Sequence, residues 1–227
     1  MATPRKAARR KREPVSRERA LRVAVDVADA GGLAELTMRR IADELGVEAM
    51  SLYHHVPNKD AILDGMVDFV FTEIELPARD VDWKTAMRRR AASMRAVLLR
   101  HRWASSLMES RTNAGMATLA HHDAVLGCLR GAGFSIALTA HAYAVLDSYI
   151  YGFVHTEIQL PFQTTEETHA VAKDMLAKFP ADGFPHLAEL AREHIFKPDY
   201  MFANEFDYGL ELILDGLERA RRREKKR

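Results

Sequence analysis

Cysteine is almost absent from this chain: Cys128 is the only one among 227 residues. That excludes an internal disulfide framework and fits a reducing compartment, the cytoplasm. Cys128 sits in an apolar helical pattern and reads as a small core residue. Long apolar runs are missing too. None approaches the about 20 residues needed to cross a bilayer, so no membrane partner is expected. The positively charged N-terminus has no apolar stretch behind it, which argues against a secretory signal. From Asp82 onward no segment alternates in the β-branched manner of strands. Catalytic patterns are also lacking. There is no Gly-rich phosphate loop, no Gly-x-Ser-x-Gly turn and no evident nucleophile–base pair, so the chain is not expected to be an enzyme. Net charge is only +1, from 33 Lys and Arg against 32 Asp and Glu, but the charges are unevenly spread. Hydrophobic content of 48% and charged content of 29% fit a soluble globular protein, and the length allows one large or two modest domains.

What is present is concentrated in TMRRIADELGVEAMSLYHHVPNK, residues 37–59. Thr37 is suited to cap a helix, because its hydroxyl can accept an unpaired first-turn N–H. Met38, Ile41, Ala42 and Leu45 recur at helical spacing and give that helix a buried face. Gly46 falls where the helix must stop, since Gly enters the left-handed region without a Cβ penalty. Residues 48–54 can form a second short helix, with Leu52 facing inward and Val56 closing the cluster. Met50, Ser51, Tyr53, His54 and His55 are left outside, flanked by Arg39, Arg40 and Lys59. Two helices about a glycine turn make a helix-turn-helix, whose second helix can enter the major groove. Hydroxyls and imidazoles suit phosphates or base edges, and Met50 suits a thymine methyl. An ordinary helical hairpin with a wet outer face has the same spacing.

Thr37, Arg39, Ile41, Ala42, Leu45, Gly46 and Val47, followed by Ser51, Leu52, Tyr53, His55, Val56, Asn58, Lys59 and Leu63, resemble the DNA-binding signature of the tetracycline-repressor family. The resemblance implies that Thr37, Arg39, Arg40, Ala49, Met50, Ser51, Tyr53, His54, His55 and Lys59 form the DNA contact set. Lys59 takes the usual place of a phosphate-binding Lys. Ala49 departs from a position that can carry a base-reading Gln, a difference that bears on the operator sequence. Leu146–Phe153 (LDSYIYGF), Leu160, Pro161 and Phe162, and GLELILDGLER from Gly209 resemble the regulatory domain of the same family. That implies an all-α protein: a three-helix helix-turn-helix domain joined by a connecting helix to a helical bundle that binds ligand and dimerises. The implied partners are a double-stranded operator, a small-molecule inducer and a second copy, with residues 136–156 and 205–219 packing as a four-helix bundle. The implied function is ligand-responsive repression of transcription.

In chain order, residues 1–14 form a basic arm, with Arg5, Lys6, Arg9, Arg10, Lys11 and Arg12 against Glu13, expected to be disordered alone. It reads either as a solvated tail or as an arm along the DNA backbone. Residues 15–60 make the DNA-binding domain, 61–220 the ligand-binding and dimerisation domain, and 221–227 a basic tail. Ser16 caps a first helix that Gly31 and Gly32 end. Asn58 caps a fourth, lined by Ile62, Leu63, Met66, Phe69, Val70 and Ile74, reaching to near Pro77. No Gly/Ser linker follows, which implies mechanical coupling. Further helices are expected from Trp83 to near His101 and over 103–110. Asn113 is expected to cap the next, with Met116, Leu119, Leu126 and Leu129 inside. Ser135 opens a long helix running to Pro161 through His141, Val145, Tyr149 and Phe153. Two weaker helices follow, near 166–178 and 185–194. Phe206, Leu210, Ile213, Leu214 and Leu217 stripe the last one, widened by Leu212.

Asp147, Tyr151 and His155 stand at i, i+4 and i+8 of the long helix. They read as the wall of a ligand pocket, with Trp103, Met108, Met116 and Phe162 as its apolar part. The competing reading is a polar stripe paired across the dimer. His121 and His122 are adjacent and point apart, and no His-x3-His pairing with carboxylates occurs, so neither metal nor cofactor is expected. A nucleic-acid coating protein without a ligand is the alternative function. It would bind all duplexes alike.

Overall fold

The computed structural model describes residues 14–180 and 183–226, so residues 1–13 of the basic arm, and Arg227, lie outside it. Among the described residues every regular element is a helix. Helix α1 (Arg17–Glu35) starts at Ser16, whose hydroxyl accepts from Arg19 N at 3.2 Å, and buries Ala20, Leu21, Ala24, Val25, Val27 and Ala28. Gly32, at φ 75°, kinks it instead of ending it, so that Leu36 drops into the core. Helix α2 (Met38–Leu45) is capped by Thr37 and stops at Gly46, where φ is 69°. Helix α3 (Ala49–Tyr53) and helix α4 (Lys59–Glu73) follow; Asn58 Oδ1 caps α4 by accepting from Ala61 N at 2.8 Å. Gly65 permits the crossing of α1 and α4, since a Cβ there would lie 2.5 Å from a Leu21 methyl.

Helix α4 ends earlier than its apolar pattern suggests. Ile74 stays buried beyond it, and Glu75 N is taken over by Ser93 Oγ at 2.8 Å. Helix α5 (Trp83–Arg100), capped by Asp82, and helix α6 (Ala104–Ser110) turn a corner at His101. Helix α7 (Met116–Gly131) is capped at Gly115, two residues beyond the expected Asn113 cap. Helix α8 (Ile136–Gln159) begins at Ser135 as expected. Helix α9 (Thr165–Leu176) carries a Thr164–Glu167 capping box. Helix α10 (Pro185–Leu190) runs into a π turn, Ala191–Ile195. Helix α11 (Glu205–Glu224) closes the chain.

The inner faces of α7, α8 and α11 differ from those expected. Met116, 79% exposed, and Leu119 face outward, because α7 rests on α4 through Thr118, His121, Val125 and Leu129. On α8, Leu138, Ala142, Leu146, Ile150 and Val154 are buried, whereas His141 and Val145 are exposed. Phe206, Leu210, Leu214 and Leu217 of α11 pack within the subunit, leaving Leu212 (56% exposed) and Tyr208 outside. Ion pairs Lys84–Asp215 and Arg88–Glu211 tie α5 to α11, and Arg95–Glu157 ties α5 to α8. Arg95 also lies over the Phe206 ring, 4.9 Å from its centroid.

Candidate functional site

Two surfaces stand out, and α4 connects them. The first is the outer face of α2 and α3. Leu52 and Val56 are fully buried, which turns Met50 (73% exposed), Ser51, Tyr53, His54 and His55 to the outside, with Ala49 half-buried at the helix start. Arg39, Arg40 and Lys59 lie exposed around them, and Arg40 pairs with Glu44 at 2.8 Å. Thr37 accepts from Arg40 N at 3.0 Å, leaving its O–H free to donate. The expected contact residues therefore share one polar face.

The second surface is a cavity of about 320 Å³ enclosed by α4, α6, α7 and α8. Val67 and Phe71 of α4 form one wall and Met108 of α6 another. Thr118 and His122 come from α7, Tyr143, Asp147, Ser148 and Tyr151 from α8, and Arg111, Asn113 and Ala114 from the α6–α7 loop. The Phe71, His122 and Tyr143 rings meet edge-on in series, with centroids 5.4 and 5.6 Å apart. The result is an aromatic surface with a few placed polar groups, the usual composition of a small-molecule site. A larger cleft of about 650 Å³ lies between residues 77–83, α7 and Arg221, but it touches neither α4 nor the first three helices. The smaller cavity is the one of the two that α4 lines, and a further cleft of about 420 Å³ lies between α1 and the α5–α6 corner.

Behind the cavity lies a buried polar chain. Arg90, 1% exposed, holds Nη2 2.6 Å from Asp147 Oδ1 and donates Nε–H to His121 Nε2 at 3.4 Å. The Arg90–Asp147 contact is close but off-axis, so neither atom has an aligned hydrogen bond. Burial, with help from Arg90 and His122, pushes the His121 pKa down to about 3. His121 is thus neutral, and because Nε2 accepts from Arg90 its proton sits on Nδ1, which lacks a protein partner. Burial also lowers the His122 pKa, against the opposing pull of Asp147. The Tyr143 phenol is pushed up by burial and by the nearby Asp147 charge, so it stays a donor.

The cavity mouth is bolted to α4. Arg111 Nε donates to Asp64 at 2.6 Å and Nη1 to Asp60 at 3.0 Å. Asn113 donates to Asp64 at 3.2 Å, and Thr118 donates to Asp68 from its backbone at 2.8 Å and its hydroxyl at 3.0 Å. The Arg111 hydrogen bond holds the Asp64 carboxyl below its usual range.

Of the expected pocket residues, Met108, Asp147 and Tyr151 line this cavity, and four do not. Trp103 is buried elsewhere and donates to Asp29 of α1 at 2.6 Å. Met116 points to solvent. Phe162 lines a separate small space beside Phe202. His155 is exposed, because each i+4 step rotates 40° around the helix and two steps carry it off the Asp147 face. Phe71, Arg111, Asn113, Thr118, His122 and Tyr143 line it as well, outside the expected set. For Arg90 a signal existed: it interrupts the inward row of Met87, Ala91 and Met94. Among the described residues no group of three or more His, Cys, Asp or Glu is placed to hold a metal ion.

Residues 20–66 match the family described as bacterial regulatory proteins, tetR family, and residues 76–221 the tetracyclin repressor-like C-terminal domain. The chain is 34% identical to the HTH-type transcriptional repressor DrrR1 of Streptomyces coeruleorubidus, over 95% of this chain and 82% of that protein. It is 30% identical to the class C tetracycline repressor of Escherichia coli, over 91% and 92% of the two chains. Among solved structures it is similar to the TetR family protein ActR of Streptomyces coelicolor in complex with (S)-DNPA. There the TM-score is 0.75 at 29% identity, covering 92% of this chain and 99% of that one.

Proposed function

The chain belongs to the tetR family of bacterial regulatory proteins and is a ligand-responsive transcriptional repressor, and on that premise we propose that it binds a palindromic operator as a homodimer. In this reading residues 15–60 are the DNA-binding head, 61–220 the ligand-binding and dimerisation body, 1–14 a basic arm and 221–227 a basic tail. Met50, Ser51, Tyr53, His54 and His55 read the major groove, while Thr37, Arg39, Arg40 and Lys59 hold phosphates. Two such heads suit half-sites about 34–36 Å apart on one face of the duplex.

The dimer surface is the outer side of α8 and α11. The α8 face carries Ala137, Ala140, Ala144, Val145, Ser148 and Gly152, small enough for close helix approach, and α11 adds exposed Tyr208 and Leu212. The observation that carries the reading is that α4 belongs to both surfaces. Val67 and Phe71 line the cavity, Asp60, Asp64 and Asp68 hold its mouth, and Lys59 starts the helix beside the reader. A ligand against Phe71 favours a different set of α4, which shifts both heads off the half-site spacing.

Phe71, His122, Tyr143 and Tyr151 offer aromatic surface, and Asp147 offers an acceptor. They suit a planar aromatic ligand bearing hydroxyls. The test begins with selection of duplexes from a random pool, followed by release assays with hydroxylated polycyclic aromatics. A palindromic consensus, bound by a dimer and released by compounds that also raise the melting temperature, is the expected result. Equal binding to every duplex with no release would instead identify a coating protein.

A further inference from the structure

The corner between α5 and α6 grips two helices of the first part of the chain through one buried side chain. His101, 4% exposed, points Nδ1 at both Asp29 carboxylate oxygens on α1, at 2.8 and 2.9 Å. Its Nε2 lies 2.9 Å from Glu73 Oε2 at the end of α4. Arg100 of α5 approaches the same Nε2 at 3.4 Å through Nε and pairs with Glu73 through Nη2. Trp103, at the start of α6, donates to Asp29 at 2.6 Å and holds its ring 5.8 Å from the imidazole. These groups face His101 from α1, α4, α5 and α6.

A carboxylate can only accept, and an imidazole nitrogen donates only if it carries a proton. Both arms are therefore hydrogen bonds only in the imidazolium. A neutral ring keeps one arm. With its proton on Nδ1 the Asp29 bond survives, while the Nε2 lone pair turns to Arg100, and Glu73 loses its link through His101 to α1 but keeps its Arg100 pair. We propose that His101 is a proton-operated latch that ties the end of α4 to α1 and to the α5–α6 corner, and so sets the angle of the DNA-binding head on the body. Closed, it makes the head move with the body. Open, it uncouples the end of α4 from α1, while Arg100 and Ser93 still hold it to α5, and the head spacing relaxes. The proposal rests on reading the first three helices as that head.

Trp103 supplies the reporter, because the chain has only two tryptophans. In the Trp83→Phe protein its emission should change with pH, and the change should vanish when His101→Gln is added. In parallel, full-length wild-type, His101→Gln and Glu73→Gln proteins are compared on a duplex selected from a random pool. The side-chain amide introduced by Glu73→Gln can donate to the neutral ring, so this variant keeps both arms without a second proton. Wild-type affinity should fall about 10-fold more as pH rises than that of either variant. This difference separates the latch from any effect of His54 and His55, which are unchanged in all three proteins. Flat Trp103 emission, or variants that track the wild type at every pH, would overturn the latch. Emission that titrates through His101 in a protein that selects no duplex would leave the latch standing and remove the DNA-binding reading.

Discussion

The reader face and the central cavity are both polar patches on helices, yet they obey opposite rules of burial. On α2 and α3 the apolar side chains go in and the polar ones stay wet, so Leu52 is fully buried and Met50, Tyr53 and His55 are exposed. At the cavity the polar groups themselves go in: the Arg90–Asp147 ion pair and the neutral His121 are buried while Met116 and Leu119 of α7 face solvent. Burying a charge costs several kcal/mol unless a partner compensates, and removing that partner exposes the whole cost. The contrast teaches where mutations act. Changes at the reader alter DNA affinity and spare stability; changes behind the cavity alter stability first.

The largest test of that contrast removes one member of the buried pair. Arg90→Leu or Asp147→Ala should lower the unfolding free energy by about 3–5 kcal/mol in urea titrations. Arg90→Met combined with Asp147→Leu should recover much of the loss, because no lone charge remains. A single variant as stable as the wild type would place the pair in water.

Acid should act through His121. Its folded pKa of about 3 lies below the ordinary 6.5, so the neutral form stabilises the fold fully above pH 6.5. As pH falls below 6.5 the unfolded chain takes up the proton first, and stability declines by about 1.4 kcal/mol per pH unit towards pH 3. His121→Gln removes this slope. Equal slopes in the two proteins would show that His121 is hydrated.

At the reader, Tyr53→Phe and Lys59→Ala should each weaken binding to all duplexes by about 1 kcal/mol, read by anisotropy titration, with unfolding free energy unchanged within about 0.5 kcal/mol. Unchanged affinity in both would remove α3 from the groove. The smallest effect is expected at His155. It is exposed and off the cavity face, so His155→Ala should change stability by less than about 0.5 kcal/mol and leave ligand release as it was. A loss of release would return His155 to the ligand site.

The outward polar face of α2 and α3 was legible because each of its determinants is local. Thr37 caps within three residues, Gly46 supplies its own φ of 69°, and the spacing of Ile41, Leu45 and Leu52 defines the inside without reference to any distant element. The cavity was legible only in part. Of the residues expected from one-helix spacing and apolar character, Met108, Asp147 and Tyr151 line the cavity, whereas Trp103 and Phe162 meet other neighbours than expected. Those errors share a cause. Spacing tells which residues share a face of one helix, but not which helix that face meets. The stripe on α11 illustrates it again, since Leu210 and Leu214 are buried within the same chain, where α11 packs on α8, and Tyr208 and Leu212 stay exposed.

The order of helices, their caps and the polar reader face were therefore written in the sequence by itself, because hydrogen bonds over three or four residues and a 3.6-residue repeat determine them. Tertiary structure alone decided that Arg90 meets Asp147 across two helices, that Arg111 reaches Asp60 and Asp64, and that His101 stands between Asp29 and Glu73. Each of those contacts joins side chains dozens of residues apart. Only the packing of whole helix faces, driven by apolar burial, brings such groups within hydrogen-bonding distance.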